Sequence, residues 1–164
     1  MLRARSGTDA AMSESPRARI PSYVGSLTTF TGGLAAAVAV GRRRGARLAT
    51  GYSLLDLAVG GLATHKFSRL VAKDGVTTPL RAPFTVFEEE TGSAEVAERP
   101  RDEHPLHTIG ELLVCPFCLA PWVAAAYVAG LSLAPSATRA WAATFAIVGA
   151  SDFLQHGYAR VRAD

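Results

Sequence analysis

The longest uncharged stretch of the chain is the strongest constraint on its fold. Residues 112–138 form a run of 27 residues without a formal charge. The core of a 164-residue soluble domain would cover such a run only with difficulty. Roughly 20 apolar residues, by contrast, are enough to cross a bilayer as an α-helix. The sequence therefore predicts an integral membrane protein.

Three other segments of low charge complete the predicted bundle. Residues 48–65 carry one charge, at Asp56, and residues 140–159 carry one, at Asp152. Residues 20–41 are uncharged and rich in Gly, Ala, Ser and Thr, whose small side chains let another helix approach closely. We therefore expect an all-α integral membrane helical bundle with three core spans and a fourth, N-terminal span. The alternative for the N-terminal segment is a helix that packs against the others.

The remaining segments define the predicted domain organisation. Residues 1–19 are polar and small and are expected to form a disordered tail. Residues 48–159 are expected to form one membrane domain that contains a cytoplasmic loop, residues 74–111. Lys and Arg support this orientation, because twelve of them fall on the side of that loop and five on the opposite side.

The loop itself is predicted to lack compact structure. Pro79 and Pro83 favour an extended conformation over residues 76–87. Residues 88–103 carry seven carboxylates and two arginines and have little apolar surface, which is typical of a solvated linker. This acidic segment is also the predicted contact for a protein partner.

Charge and composition limit the remaining classes of partner. The net charge is +3, and the basic residues flank the apolar segments instead of forming a stripe interleaved with aromatic residues. Because such a stripe is typical of nucleic-acid binding, we expect the lipid bilayer as a partner and no nucleic acid. The sequence leaves the oligomeric state open.

The pair Cys115 and Cys118 has the spacing of a redox dithiol. A cysteine at the N-terminus of a helix forms a thiolate more easily, because the helix dipole stabilises negative charge there. The alternative is that both residues are small apolar side chains packed at the start of a span. A cytoplasmic location argues against a stable disulfide, since that compartment is reducing.

A zinc site is a third interpretation of the cysteine pair. Together with two upstream histidines the cysteines give the pattern H-x2-H-x7-C-x2-C, and Glu111 is a substitute ligand. Four such ligands satisfy tetrahedral zinc. No other cofactor is predicted. The histidines of this pattern are His104 and His107.

Asp56 and Asp152 lie inside apolar segments, where a carboxylate is costly unless it is paired or protonated. Asp152 and His156 are four residues apart and share a helix face, so a local pair is expected. Asp56 lacks a local cation and is expected to face another helix. Interhelical hydrogen bonding is favoured for these residues over a proton or ion path.

Three blocks of sequence are similar to a known family. They read LATHKFSRL with KDGVT and PLRAPF, then IGELLVCPFC with a following tryptophan, then SDFLQ. This pattern resembles the bacterial membrane family called domain of unknown function 1360, which includes a sporulation-associated protein. The resemblance covers residues 54–158 and implies a small helical membrane protein without an assigned reaction. The matching motif residues are His65, Arg69, Asp74, Pro79, Arg81, Pro83, Gly110, Cys115, Cys118 and Trp122.

The leading functional hypothesis is a multi-pass protein of a bacterial cell membrane with a non-enzymatic, structural or interaction role. It rests on a short bundle without a catalytic constellation and on the acidic segment available for binding. The alternative is a membrane thiol-redox or metal-binding protein that uses Cys115 and Cys118. A transporter subunit that uses Asp56 and Asp152 ranks last, because four spans are few for a transporter.

Overall fold

The computed structural model describes residues 20–46, 51–92, 94–102 and 106–163. The tail expected at 1–19 lies outside the described residues. The described part of the chain contains six α-helices, one 3₁₀ turn and one two-stranded antiparallel sheet. In chain order these are α1 (Ile20–Arg43), α2 (Leu54–Lys73), a 3₁₀ turn (Gly75–Thr77), α3 (Thr78–Arg81), β1 (Thr85–Gly92), β2 (Glu95–Pro100), α4 (Leu106–Val114), α5 (Pro116–Leu133) and α6 (Pro135–Ala163).

Helices α2 and α6 run in the same direction. An ion pair joins Asp56 to Arg139 near their N-terminal ends, and a second joins Lys66 to Asp152 further along both helices. Helix α5 precedes α6 and runs antiparallel to it, with Ala134 alone between them. The amide of Ala134 donates to the Gly130 carbonyl, and the Ala134 carbonyl accepts from the Thr138 amide, so the reversal is tightly bonded.

Helix α1 packs on α5 and runs parallel to it. Phe30 lies edge-to-face against Trp122 near the start of α5, with ring centroids 5.0 Å apart. Gly41, near the end of α1, lies against Leu133, the last residue of α5. The four long helices therefore form a bundle with α1 and α5 running one way and α2 and α6 the other.

The core of the bundle combines small residues with one large aromatic. Ala63 of α2, Tyr127 and Leu131 of α5, and Ala142 of α6 are buried together. Gly60 lets α2 approach α5, because a methyl group at Gly60 would collide with the Tyr127 ring. Small residues at such crossings permit close helix approach.

Two of the described helices are long and apolar enough to cross a membrane, judged by length and composition. They are α1 over Tyr23–Arg43 and α5 over Pro116–Leu133, and the structure buries only 6% and 17% of their apolar windows. Helices α2 and α6 do not reach this combination of length and hydropathy. The expected bundle of three core spans is therefore not confirmed, whereas the N-terminal segment does have the dimensions of a span.

The expected linker at 88–103 is wrong, and the fold is mostly helical with a small two-stranded sheet in place of the expected all-α fold. Residues 85–92 and 95–100 form a β-hairpin in which Thr85 pairs with Pro100 and Gly92 with Glu95. Two irregularities in the β1 register give the hairpin bulges. The acidic residues do not prevent folding, because Glu95 and Glu98 pair with arginines of other elements.

Two boundaries also differ from the sequence-based expectation. The segment 76–87 is not extended throughout, since the 3₁₀ turn and α3 occupy its first half, with Pro79 in the first turn of α3. The uncharged run at 112–138 is not one helix. It breaks at Cys115, which ends α4 and caps α5. Pro116 has no amide hydrogen to donate, so it begins a new helix there.

Candidate functional site

A fully buried arginine holds together the segment of the chain that connects α2 to α4. Arg81, the last residue of α3, forms a bidentate ion pair with Glu98 of β2. Its Nε lies 2.9 Å from Glu98 Oε2 and its Nη2 lies 3.1 Å from Oε1. This planar fork is the strong geometry for an arginine and a carboxylate. The pair joins α3 to β2 through two residues that are 17 positions apart in the sequence.

The other donors of Arg81 close the C-terminal end of α2. Nη1 lies 2.6 Å from the Val71 carbonyl and 2.6 Å from Thr77 Oγ1, and both terminal nitrogens lie within 3.2 Å of the Asp74 carbonyl. The last carbonyls of a helix have no partner within the helix. Arg81 supplies those partners, so it terminates α2 as well as holding the hairpin.

The Glu98 carboxylate is held in its charged form. Burial raises the pKa of Glu98, whereas the hydrogen bonds from Arg81 and Thr85 lower it. The lowering effects together are larger, so the pKa lies below the usual value of 4.5. The Thr85 hydroxyl lies 2.8 Å from Glu98 Oε2. The buried pair is therefore an ion pair at neutral pH and has its hydrogen bonds satisfied, which is what makes burial of two charges tolerable.

Further contacts fix the hairpin to the helices around it. Arg69 of α2 binds both carboxylate oxygens of Glu95 at 2.6 Å. The Gly75 amide donates to the Ala94 carbonyl. On the other side, Gly110 of α4 packs directly on the Phe84 carbonyl, where any side chain would clash. We call residues 74–102 the cap, since they form one bonded unit over one end of the bundle.

Lys66 joins the cap to the bundle. Its Nζ lies 3.3 Å from Asp74 and 3.0 Å from the Asp152 carboxylate of α6. The local pair expected between Asp152 and His156 takes a different form, because His156 Nδ1 lies 2.9 Å from the backbone oxygen of Asp152.

The opposite end of the bundle carries a second ion pair. Arg139 Nε of α6 lies 2.9 Å from Asp56 Oδ1, so Asp56 does face another helix, as expected. Ser53 and Asp56 also form a capping box at the start of α2. The Tyr127 hydroxyl donates to the Asp56 carbonyl at 3.0 Å and links α5 to the same point.

Cys115 and Cys118 form a disulfide at the N-terminus of α5. Cys115 is the N-cap residue, and its sulfur accepts a hydrogen bond from the Cys118 amide at 3.2 Å. Cys118 is exposed, Cys115 is half-buried, and the Phe117 side chain between them is 86% exposed. The expected position of a cysteine at a helix N-terminus is correct. The expectation that no disulfide forms is wrong.

The zinc interpretation does not fit this geometry. The two sulfurs are bonded to each other and offer no thiolate, and no group of three potential ligands occurs among the described residues. His107 Nδ1 lies 2.9 Å from the Arg101 carbonyl, and its Nε2 lies 3.5 Å from Glu111. His104 lies outside the described residues.

The motif residues divide between the cap and its surroundings. Arg69, Asp74, Arg81 and Gly110 all contact the cap or belong to it. His65 stacks on Phe153 outside the cap, with centroids 5.7 Å apart. Pro79 and Pro83 are exposed residues of the cap, and Trp122 packs on Phe30 outside it.

Sequence reasoning missed the partners of these residues. Glu98 falls in the segment predicted to be a solvated linker, and the sequence did not identify Lys66 or Arg139 as a partner of a carboxylate. The sequence does carry one turn signal, Gly92, which has a positive φ before β2. The burial of Glu98 has no such signal, because an acidic residue in a strand reads as solvent-facing.

The fold and the site define a predominantly helical protein with two span-length apolar helices and an arginine-centred cap at one end. A family model described as "Protein of unknown function (DUF1360)" matches residues 59–158. The chain belongs to this family, and the resemblance drawn from the motif residues is confirmed. Comparisons with curated proteins and with solved structures found no match.

Proposed function

We propose that the chain is a multi-pass protein of a bacterial cell membrane with a non-enzymatic, structural or interaction role, in which the bundle holds the cap at one membrane surface. The observation that carries this proposal is the uncovered apolar surface of α1 and α5, of which the protein buries only 6% and 17%. Surface of this kind requires another apolar medium, and lipid matches both its length and its composition.

The distribution of charge supports the same arrangement. Arg42 and Arg43 end α1 and Arg44 follows it, at the end of the bundle where Asp56 pairs with Arg139. The cap and Lys66 lie toward the other end. Helix α5, with 18 residues, spans about 27 Å at 1.5 Å per residue, close to the hydrocarbon thickness of about 30 Å.

The ionisable groups within the helices support a structural role over transport. Asp56 is engaged by Arg139, and Asp152 is engaged by Lys66. A carboxylate that carries ions or protons must change partners, whereas these pairs tie one helix to another. The exposed carboxylates of β1 are the surface we propose for a partner with a basic segment. They are Glu88, Glu89 and Glu90.

Membrane topology is the decisive experiment. Single cysteines are introduced at Arg44 and at Thr91, both exposed and at opposite ends of the bundle, in a Cys115→Ser, Cys118→Ser background. Intact cells are then labelled with a membrane-impermeant maleimide before and after permeabilisation. We expect the two positions to label in opposite compartments.

Two results would overturn the membrane proposal. One is labelling of both positions in the same compartment. The other is recovery of the chain in the supernatant after ultracentrifugation of lysed cells without detergent. The partner surface is tested separately by Glu88→Gln, Glu89→Gln, Glu90→Gln substitution, which should weaken in-cell photo-crosslinking from β1 while membrane insertion is unchanged.

The disulfide favours a second candidate function, thiol–disulfide exchange at the start of α5. Its sulfurs lie at an exposed helix N-terminus and do not belong to the packed core. The double substitution Cys115→Ser, Cys118→Ser tests this candidate. A variant that inserts normally and supports growth like the unmodified chain under oxidative and reductive stress would exclude it.

A further inference from the structure

We propose that the disulfide has a fixed polarity: an incoming cysteine thiolate attacks Cys118, and Cys115 is the leaving group. This inference rests on the second candidate function and adds the order in which the two sulfurs react. The substrate class is a dithiol presented by another protein at the membrane surface.

Access distinguishes the two sulfurs. Cys118 is exposed, whereas Cys115 is half-buried at the junction of α4 and α5. Attack on a disulfide requires approach to one sulfur along the axis of the bond, so the more accessible sulfur reacts first. The exposed Phe117 side chain lies beside it and offers apolar contact to the arriving segment.

The helix N-terminus distinguishes the two leaving groups. Cys115 is the N-cap of α5, and the Cys118 amide already donates to its sulfur at 3.2 Å. When the bond breaks, the negative charge on Cys115 is stabilised by this amide and by the helix dipole. A thiol whose thiolate is stabilised leaves faster in disulfide exchange. Both arguments assign the same polarity.

The reaction balances in two steps. The thiolate of the partner forms a bond to Cys118 Sγ as the Cys115–Cys118 bond breaks, and the electron pair goes to Cys115 Sγ. The second thiol of the partner, after losing its proton to water, then attacks the partner's sulfur in this mixed disulfide. The bond between that sulfur and Cys118 breaks, and its electron pair goes to Cys118 Sγ. The partner leaves as a disulfide, oxidised by two electrons, and Cys115 and Cys118 take up two protons from water to become a reduced dithiol.

The test uses the unmodified full chain in phospholipid nanodiscs with reduced glutathione as the probe thiol. The reaction is quenched with acid at early times, and the mixed disulfides are located by peptide mass spectrometry. We expect glutathione on Cys118 in excess over Cys115 by about tenfold, since access and leaving-group stability act together. Equal amounts, or an excess on Cys115, would overturn the polarity.

A second measurement does not depend on trapping the adduct. Reduced Cys118→Ser and Cys115→Ser variants each retain one thiol, and their alkylation rates by iodoacetamide are followed against pH. The Cys115 thiol should remain reactive to lower pH than the Cys118 thiol. The reverse order contradicts the assignment of the leaving group. If the unmodified chain exchanges with glutathione at neither sulfur, the thiol–disulfide candidate is lost together with the polarity, whereas the membrane proposal stands.

Discussion

Arg81 and Glu98 form a bidentate ion pair from which solvent is excluded, with the arginine side chain at 0% and the carboxylate side chain at 2% exposure. The pair joins α3 to β2, and the same guanidinium binds the last carbonyls of α2. Arg81 therefore links the C-terminal end of α2 to the hairpin. Because its partner Glu98 is buried, the cap is expected to be sensitive to substitution of Arg81.

Loss of Arg81 should release the cap from the bundle. Arg81→Met leaves Glu98 buried without a cation, and breaking such a pair costs about 3–5 kcal/mol. Hydrogen exchange should show much faster exchange of the β1 and β2 amides. Arg99→Met is the matched control, because Arg99 is half-exposed and pairs only at the surface. Comparable protection in the Arg81 and Arg99 variants would contradict this account.

The double variant Arg81→Met, Glu98→Leu provides a further check on the same pair. Replacing both charges with apolar side chains removes the uncompensated carboxylate, and such replacements of buried pairs are often close to neutral. The double variant should therefore protect the hairpin better than Arg81→Met alone. If the hairpin amides exchange faster in the double variant than in Arg81→Met, lost packing and not lost charge compensation explains the effect.

The cap should lose stability in acid. The pKa of Glu98 is lowered in the folded state relative to its usual value of 4.5. The charged carboxylate therefore contributes stability that is complete above pH 4.5 and is lost as the pH falls through the lower folded value. The opening free energy of the hairpin, from hydrogen exchange corrected for intrinsic rates, should decrease below pH 4.5. Glu98→Gln should be less stable at pH 7 and should show a smaller decrease, while exposed Glu90→Gln behaves like the unmodified chain.

Adjacent glycines in α2 should respond to alanine with opposite signs. At Gly60 the added methyl would collide with the Tyr127 ring, whereas at Gly61 it meets open space. We expect Gly61→Ala to raise stability by up to about 1 kcal/mol through helix propensity. Gly60→Ala should lower it by about 1–3 kcal/mol through overpacking. Thermal unfolding in detergent measures both changes, and equal shifts in the same direction would rule out the close α2–α5 contact.

Lys66 and Asp152 should be energetically coupled. Their double-mutant cycle, with Lys66→Met and Asp152→Asn, should give a coupling energy of about 0.5–1 kcal/mol, toward the low end because Asp152 is partly exposed. Arg139→Gln combined with Asp152→Asn is the control pair, since Arg139 binds Asp56 instead. Additive effects in the Lys66 cycle would show that the Lys66–Asp152 contact does not tie α6 to α2.

The helical part of the fold could be predicted from sequence because its signal is local. Uncharged runs define α1 and α5, and the expected position of a cysteine at a helix start is correct. Hydropathy alone did not indicate that Pro116 begins a new helix within the long uncharged run. The β-hairpin could not be predicted in the same way. Its acidic residues look solvated until Arg69 and Arg81 are placed beside them, and those contacts bridge 26 and 17 residues.

The candidate site likewise combines residues that the sequence identifies with contacts that only folding creates. Arg81 and Asp74 were found through the family motif, but their roles depend on Glu98, Val71 and Thr77, which only the folded chain brings within reach. Asp56 was expected to meet a distant helix, and no local pattern identified Arg139 as its partner, because the two are 83 residues apart.

The single-residue reversal at Ala134 limits how the bundle can adapt. With one residue between α5 and α6 and both of its backbone groups bonded, the two helices have no slack with which to slide past each other. A shift of even one residue, about 1.5 Å along the axis, would break one of those bonds. Any change in the orientation of α5 must therefore be a tilt that carries α6 with it.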